Sequence, residues 1–314
     1  MRVAICVGTF RRKELLQKML LGLSQLRFKK VSHPQIEVVI VDNDASQSAR
    51  AVCDVRGFPW RLRYLSEPKR GIACVRNRAI AEASKADFLA FLDDDETPAP
   101  EWLDELLWTQ VQFQADVVAG QVLPSYSDDV PGWVKTGGFF DRSVSPTGEA
   151  VELCSTNNVL IRSDTLGVVA GFAEQFDLTG GEDTHFFLRI RRSGFRMVAS
   201  REATVFESVT TERANLSWIL RRGFQSGNSW ALCERDLDPR MRMAILRGCK
   251  GIAHIGVGVG KMIPGVIVGK AQAVAALRQM LLGVGMLAGI AGHRFQAYRF
   301  AGSDSIRGSM PSGA

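Results

Sequence analysis

Three consecutive aspartates, Asp93, Asp94 and Asp95, close the apolar run of residues 88–92. The first and third are spaced so that two carboxylates can hold one hard divalent cation through oxygen, the ligand that Mg2+ and Mn2+ take alongside substrate phosphates. Left unneutralised, the three acids repel one another and raise one another's pKa. A second pair, Glu182 and Asp183, follows two glycines and opens a helical stretch. A carboxylate placed there can accept the proton of a substrate hydroxyl. Arg76, beside Asn77 and after Lys69-Arg70-Gly71, offers a planar cation suited to a diphosphate. Each feature also has a plainer explanation: an acidic turn ahead of Pro98 and Pro100, a helix cap at Glu182 or Asp183, and a solvated cationic helix face at Arg76.

The elements that must position these residues alternate along the chain. Residues 3–7 and 36–41 are apolar and rich in β-branched side chains, and between them Leu15, Leu16, Met19, Leu20 and Leu23 recur at helical spacing. A polar helix over 76–86, a strand over 88–92, a helix over 101–113 and a strand over 116–122 follow. Strands that are nearly all apolar, alternating with helices, predict an α/β fold: a doubly wound, mostly parallel sheet with helices on both faces. Ligands of such sheets sit beyond the carboxyl ends of the strands, which is where Asp42, Asp93 and Asp95 fall. Residues 124–152 read as irregular, with Trp133, Phe139 and Phe140 as anchors. Regular structure resumes over 155–161, with helices expected at 163–170 and 184–193 and a strand at 196–198.

Taken in order, Thr9-Phe10, Asp42-Asn43, Gly71 with Arg76-Asn77, Phe91-Leu92-Asp93-Asp94-Asp95, Trp102-Leu103, Gly171-Phe172, Glu182-Asp183, Arg189 and Gly194-Phe195 make a set that resembles glycosyltransferase family 2 over residues 3–210. The resemblance implies a GT-A fold, a nucleoside-diphosphate sugar donor, a Mn2+ or Mg2+ cofactor and inversion at the anomeric carbon. It assigns Thr9 and Asp42 to the nucleobase pocket with Asn43 nearby, Arg76 to the diphosphate, Asp93 to donor ribose or sugar and to the metal, and Asp95 to the metal directly. Asp94, the middle member, is left without a part. Asp183 becomes the general base, with Glu182 beside it and Arg189 bracing the site on the substrate side. Two positions depart from the pattern: Arg11 stands where many members have Asn, and Val205-Phe206-Glu207 stands where many have His.

The 314 residues carry 39 basic and 33 acidic side chains. Nine of the basic residues and no acid lie between Pro239 and Ser303, so the net charge of +6 belongs to that stretch. There it is mixed with Gly, Ala, Val, Ile, Leu and Met, which suits an anionic membrane surface rather than nucleic acid. The apolar runs are broken by Lys261, Pro264 and Arg278, and the expected form is a surface-lying or re-entrant helical pair. The division expected is a GT-A domain over 1–212, a basic and apolar helical extension over 213–300 and a flexible tail over 301–314. Six scattered cysteines read as reduced thiols. With no signal-peptide core, the catalytic part is expected at the cytoplasmic face of the membrane.

The reading is therefore an inverting, metal-dependent hexosyltransferase. It would move a sugar from a nucleoside-diphosphate donor, UDP-sugar favoured, to a saccharide or lipid-linked saccharide in surface polysaccharide or glycolipid synthesis. The alternatives are a nucleotidyltransferase acting on sugar phosphates, which calls for a Gly-rich loop where this chain has Gly8-Thr9-Phe10, and a catalytically silent scaffold of the same fold, which calls for missing acids.

Overall fold

The computed structural model describes residues 1–142 and 145–296; the tail expected at 301–314 lies outside the described residues. In chain order the elements are β1 (Arg2–Thr9), α1 (Lys13–Ser24), β2 (Gln35–Asp42), α2 (Arg50–Cys53), β3 (Arg61–Ser66), α3 (Ile72–Glu82), β4 (Phe88–Asp93), β5 (Glu96–Pro98), α4 (Trp102–Phe113), β6 (Val117–Tyr126), α5 (Gly132–Thr136), β7 (Asn158–Arg162), α6 (Ser163–Val168), α7 (Glu182–Arg192), β8 (Met197–Val209), α8 (Leu216–Leu237), α9 (Met241–Val268) and α10 (Lys270–Ile290).

Side chains of β1 divide between two cores. Val3, Ile5 and Val7 face one, and Ala4 and Cys6 face the other. Strand β2 repeats the division, with Ile36, Val38 and Ile40 on the first face and Val39 and Val41 on the second. A strand apolar on both faces must be covered on both. Helices α1 and α4 cover the first with Leu16, Met19, Leu20, Leu23, Trp102 and Leu106. Helices α3 and α7 cover the second with Ala73, Val75, Ala79, Phe186, Phe187 and Ile190.

The eight strands form one sheet in the order β3-β2-β1-β4-β7-β6-β8-β5. From β3 to β4 all neighbours are parallel, as the apolar strands led one to expect. Strand β7 then runs antiparallel to both β4 and β6, β8 runs parallel to β6, and β5 runs antiparallel to β8. The register sets Thr9 opposite Asp42 and Gly8 opposite Asp93, so the ends of β1, β2 and β4 lie side by side.

Strand β8 is much longer than the segment expected at 196–198. It continues through Arg201 and Glu202, both exposed, past a register shift at Gly120/Gln121 of β6. That irregularity hides its period in the sequence and carries the strand out to Glu207.

Beyond β8 the chain builds layers of helix. Helix α8 lies on α7, α10 on α8, and α9 on α10. Glycines set the close approaches: Gly223 against Arg278 and Gly289 against Ala231 between α8 and α10, and Gly251 against Gly283 and Gly265 against Gln272 between α9 and α10. The division expected at 212/213 falls in the 210–215 connection between β8 and α8.

Candidate active site

Where β1, β2 and β4 end, the polar side chains are buried and bonded to one another. Thr9 Oγ1 donates to Asp94 Oδ2 at 2.8 Å. Asp42, fully buried, accepts from the backbone N–H groups of Asp44 (3.0 Å) and Ala49 (2.9 Å) and from the Tyr64 hydroxyl at 2.9 Å. Asn43 donates to the carbonyls of Glu67 (2.8 Å) and Lys69 (2.7 Å) and accepts from the Gly71 N–H at 3.1 Å. Asp42 and Asn43 thus shape the loops after β2 and β3 that wall this end of the sheet, and the side-chain groups expected near a nucleobase serve as framework. Arg11, the residue that departs from the family pattern, pairs with Asp44 at 3.1 Å.

The aspartate triplet is not uniform. The Asp93 side chain is 42% exposed, whereas Asp94 and Asp95 are buried. Asp94, left without a part by the sequence, anchors the turn by taking Thr9 and Arg12, the latter at 3.1 Å. Asp95 Oδ2 takes Arg12 at 3.4 Å and Arg213 at 2.9 Å. Arg213 also reaches Glu207 at 2.5 Å, and Arg142 reaches the same carboxylate at 3.4 Å. Glu96, 1% exposed, accepts from the Asp93 N–H at 3.2 Å and from Asn157 Nδ2 at 2.8 Å. Strand pairing sets Glu96 opposite Glu207.

Burial, then Asp93, pushes Asp95 up to about 7 against the pull of Arg213 and Arg12. Burial likewise raises Glu96 well above the usual range, with Asp93, Asp95 and Glu207 adding to it. The cluster is short of positive charge even with its arginines. A divalent cation held by Asp93 and Asp95 fits both that deficit and the all-oxygen donor set.

The second acidic pair is brought to the first by one arginine. Arg76 is buried on α3; its guanidinium pairs with Glu182 and stands 3.7 Å from Asp93 Oδ1. Burial alone would lower the Arg76 pKa, but Glu182, Asp93 and Asp183 together raise it. Burial lifts Glu182 to about 6, with Asp183 adding to the shift and Arg76 opposing it. Asp183 sits in the first turn of α7, partly buried, its Oδ1 accepting from the Thr184 N–H at 2.6 Å. Gly180 and Gly181, at φ 73° and 97°, form the left-handed turn that feeds the chain into α7.

Arg189 faces elsewhere. It donates to the carbonyls of Ala170 (2.7 Å) and Gly171, with its guanidinium 5.6 Å from the Phe186 ring. It holds the backbone just after α6, and no hydrogen bond or ion pair joins it to Asp93, Asp95, Glu182 or Asp183. Arg12, Arg142 and Arg213 were missed by sequence reasoning. Arg213 lies 118 residues from its partner Asp95 with no motif around it. Glu96 had one legible signal, as a fourth consecutive acid after an apolar strand.

With this geometry in hand, comparison with known proteins is informative. Over 236 residues the chain is 35% identical to the succinoglycan biosynthesis protein ExoM of Rhizobium meliloti, covering 73% of this chain and 74% of that protein. It is 28% identical to a pre-mycofactocin glycosyltransferase of Mycobacterium tuberculosis over 72% of this chain and 49% of that protein. The mannosyltransferase PcManGT of Pyrobaculum calidifontis, solved with GDP-Man and Mn2+, matches with a TM-score of 0.60 at 15% identity, over 92% of this chain and 87% of that one. S. aureus TarS 1-349 in complex with UDP matches with a TM-score of 0.51 at 16% identity, over 93% and 92% of the two chains. The α/β architecture is therefore of the expected GT-A type. Residues 4–166 match the family described as glycosyl transferase family 2, and with the 35% identical relative this establishes that the chain is a glycosyltransferase belonging to that family.

Proposed function

We propose that the protein is an inverting transferase that moves a sugar from a nucleoside-diphosphate donor, UDP-sugar favoured, to a saccharide or lipid-linked saccharide during surface polysaccharide or glycolipid synthesis. The observation that carries this reading is the Arg76 bridge, which gathers Asp93 and Glu182, the neighbour of Asp183, around one guanidinium. The relative named for succinoglycan biosynthesis supports the polysaccharide class, and the neighbour solved with GDP-Man and Mn2+ supports a nucleotide-sugar donor.

In this reading Asp93 and Asp95 hold Mn2+ or Mg2+, which when bound neutralises the charge building on the departing diphosphate. Asp183 takes the proton of the attacking hydroxyl as the acceptor approaches the anomeric carbon from the face opposite the leaving group. A single displacement of that kind inverts the configuration. Thr9, Asp42 and Asn43 shape the nucleotide end, Arg76 holds the diphosphate end against the acids, and Glu182 keeps Arg76 in place. The division into a catalytic domain over 1–212 and an extension from 213 belongs to the same proposal, as does location at the cytoplasmic face of the membrane.

The test is Asp183→Asn beside Asp95→Ala. The first is expected to bind UDP-sugar normally and to lose transfer by at least about a hundredfold, within the usual worth of a positioned base; the second is expected to lose metal-dependent donor binding. Transfer at the wild-type rate by Asp183→Asn would remove the base assignment. Retention of anomeric configuration, read by NMR of the product, would remove the single displacement.

A further inference from the structure

Helix α9 presents a long exposed surface that the catalytic site does not explain. Its inner face meets α10 through Gly251, Gly258 and Gly265, one glycine every seventh residue, and Arg247 is its other buried side chain. The opposite face is exposed and largely apolar, with Ile252 63%, Ile263 76% and Ile267 82% exposed. Contiguous exposure on this scale marks an interaction surface. Exposed Arg242, Lys250 and Lys261 lie along the same helix, and the stretch holds no acid.

By length and composition α9 and α10 could each cross a bilayer, but their attachments argue otherwise. Helix α8 is bound to the turn before the second acidic pair: Ser229 Oγ donates to the Thr179 carbonyl at 3.2 Å and Cys233 Sγ to the Gly181 carbonyl at 3.1 Å. Helix α10 lies along α8, with Asn228 reaching the Gly285 carbonyl. If α10 crossed a membrane, it would carry Arg221, Arg222 and Arg235 of α8, all exposed, into hydrocarbon. Helix α9 is also held at both ends. Arg247 Nε donates to Glu234 of α8 at 2.7 Å, and beyond its far end Lys270 Nζ lies 4.6 Å over the Trp133 ring of α5. A helix of 28 residues, about 42 Å long, is laid along α10, which is itself fixed on α8.

We infer that α9 lies flat in the interface of an anionic membrane, its outward apolar face sunk among the acyl chains and its lysines reaching the headgroups, with neither α9 nor α10 crossing the bilayer. Lys250 and Lys261 stand well inside the helix, where a crossing would bury them and an in-plane helix lets them snorkel. A second copy of the chain suits this face poorly, because the charges along it are all basic and would be set against one another. Anionic lipid supplies the missing charge.

The orientation also bears on the acceptor. Lys270 and Trp133 sit where α9 turns into α10, and α5 leads to Phe140, which stacks on Trp218 at 5.3 Å beneath the guanidinium of Arg213. A lipid-linked acceptor would thus reach the Asp95 side of the site along the membrane surface. The inference rests on the membrane-associated reading above.

The test uses the full chain with Cys249, the exposed cysteine, replaced by Ser, and the remaining cysteines buried. Single cysteines at Ile245, Ile252, Val259 and Val266, which share one exposed face, are spin-labelled and their depths measured on phosphatidylcholine vesicles with and without phosphatidylglycerol. Binding that requires phosphatidylglycerol, with all four labels at one shallow depth, is the expected result. Lys250→Gln and Lys261→Gln should each weaken that binding about fivefold. Binding with depths that run from one face of the bilayer to the other would overturn the in-plane helix and spare the membrane reading, since residues 245 and 266 lie about 32 Å apart along a helix. Failure to bind either vesicle overturns both, and self-association through the labelled face would then assign it to a second copy.

Discussion

Arg213 donates to Oδ2 of Asp95 at 2.9 Å, joining the connection after β8 to the end of β4. The same guanidinium holds Glu207 and lies 5.1 Å from the Trp218 ring, so the end of β8 and the start of α8 meet the distant Asp95 on one side chain. Replacing Arg213 with Ala leaves buried Glu207 to Arg142 alone and Asp95 to Arg12 alone. Breaking a buried pair costs about 3–5 kcal/mol, and because Arg213 is partly exposed and each acid keeps a second arginine, we expect about 2 kcal/mol. Urea unfolding reads this loss. Adding Glu207→Gln should return at least part of it, and strictly additive losses would show that the two residues do not interact.

Glu182 gives a pH signature. Its folded-state pKa, about 6, lies above its ordinary 4.5, so the native state holds this proton more tightly than the unfolded chain does. The associated stability is fully present below about 4.5 and is lost as the pH rises through about 6. Glu182→Gln removes that dependence. The groups facing Glu182 are Arg76, Asp183 and the Cys233 thiol, which feels both acids. Scanning calorimetry from pH 4 to 8 should show the wild type losing stability relative to the variant between 4.5 and 6, with the difference level above 7. Parallel curves throughout would mean that Glu182 is not strained by its burial.

Much of this architecture was legible in the sequence, and the reasons are local. Val3, Ile5 and Val7 with Ala4 and Cys6 make a strand apolar on both faces, and such a strand can sit only between helical layers. Asp42 and Asp93 could be placed because each ends a strand, and parallel strands bring their ends together. Strand β3 escaped notice because Arg61 and Arg63 break its apolar pattern; at the edge of the sheet they pair with Glu37 instead. Arg12 and Arg213 escaped for another reason. An arginine's partner is set by tertiary closure, and nothing within a few residues of either side chain names Asp95.

Gly181 should tolerate no side chain. At φ 97° an L-residue is strained, and an added Cβ would stand 2.9 Å from Ser229 Cβ and 3.1 Å from Cys233 Sγ. Strain and overpacking together put Gly181→Ala at about 3 kcal/mol. The displaced helix start also carries Glu182 and Asp183, so transfer should fall at least tenfold with donor affinity less affected. Gly194→Ala is the control: its φ is 80°, but an added Cβ meets nothing within 4 Å. It should cost about 1 kcal/mol and leave the rate unchanged. Equal effects of the two substitutions on transfer would break the link between α8 contact and the acidic pair.

Asn158, 2% exposed, holds the sheet together next to the site. Its Oδ1 accepts from Trp102 Nε1 at 2.7 Å, and its Nδ2 donates to the carbonyls of Gln121 (2.8 Å) and Ala203 (2.9 Å), while its backbone pairs with Leu92, the residue before Asp93. Ala at this position orphans a buried indole N–H and removes the donor from two carbonyls, a loss of about 3 kcal/mol. Asp keeps the acceptor for Trp102 but turns an ionised oxygen toward those carbonyls. Asn158→Asp should therefore be at least as destabilised as Asn158→Ala at pH 7.5. Below about pH 6 it should recover part of the loss, since a buried carboxyl that takes up a proton regains one donor. Thermal unfolding of both variants at pH 5.5 and 7.5 measures the difference, and a pH-independent gap between them would mean that the amide's donors are not what Gln121 and Ala203 require.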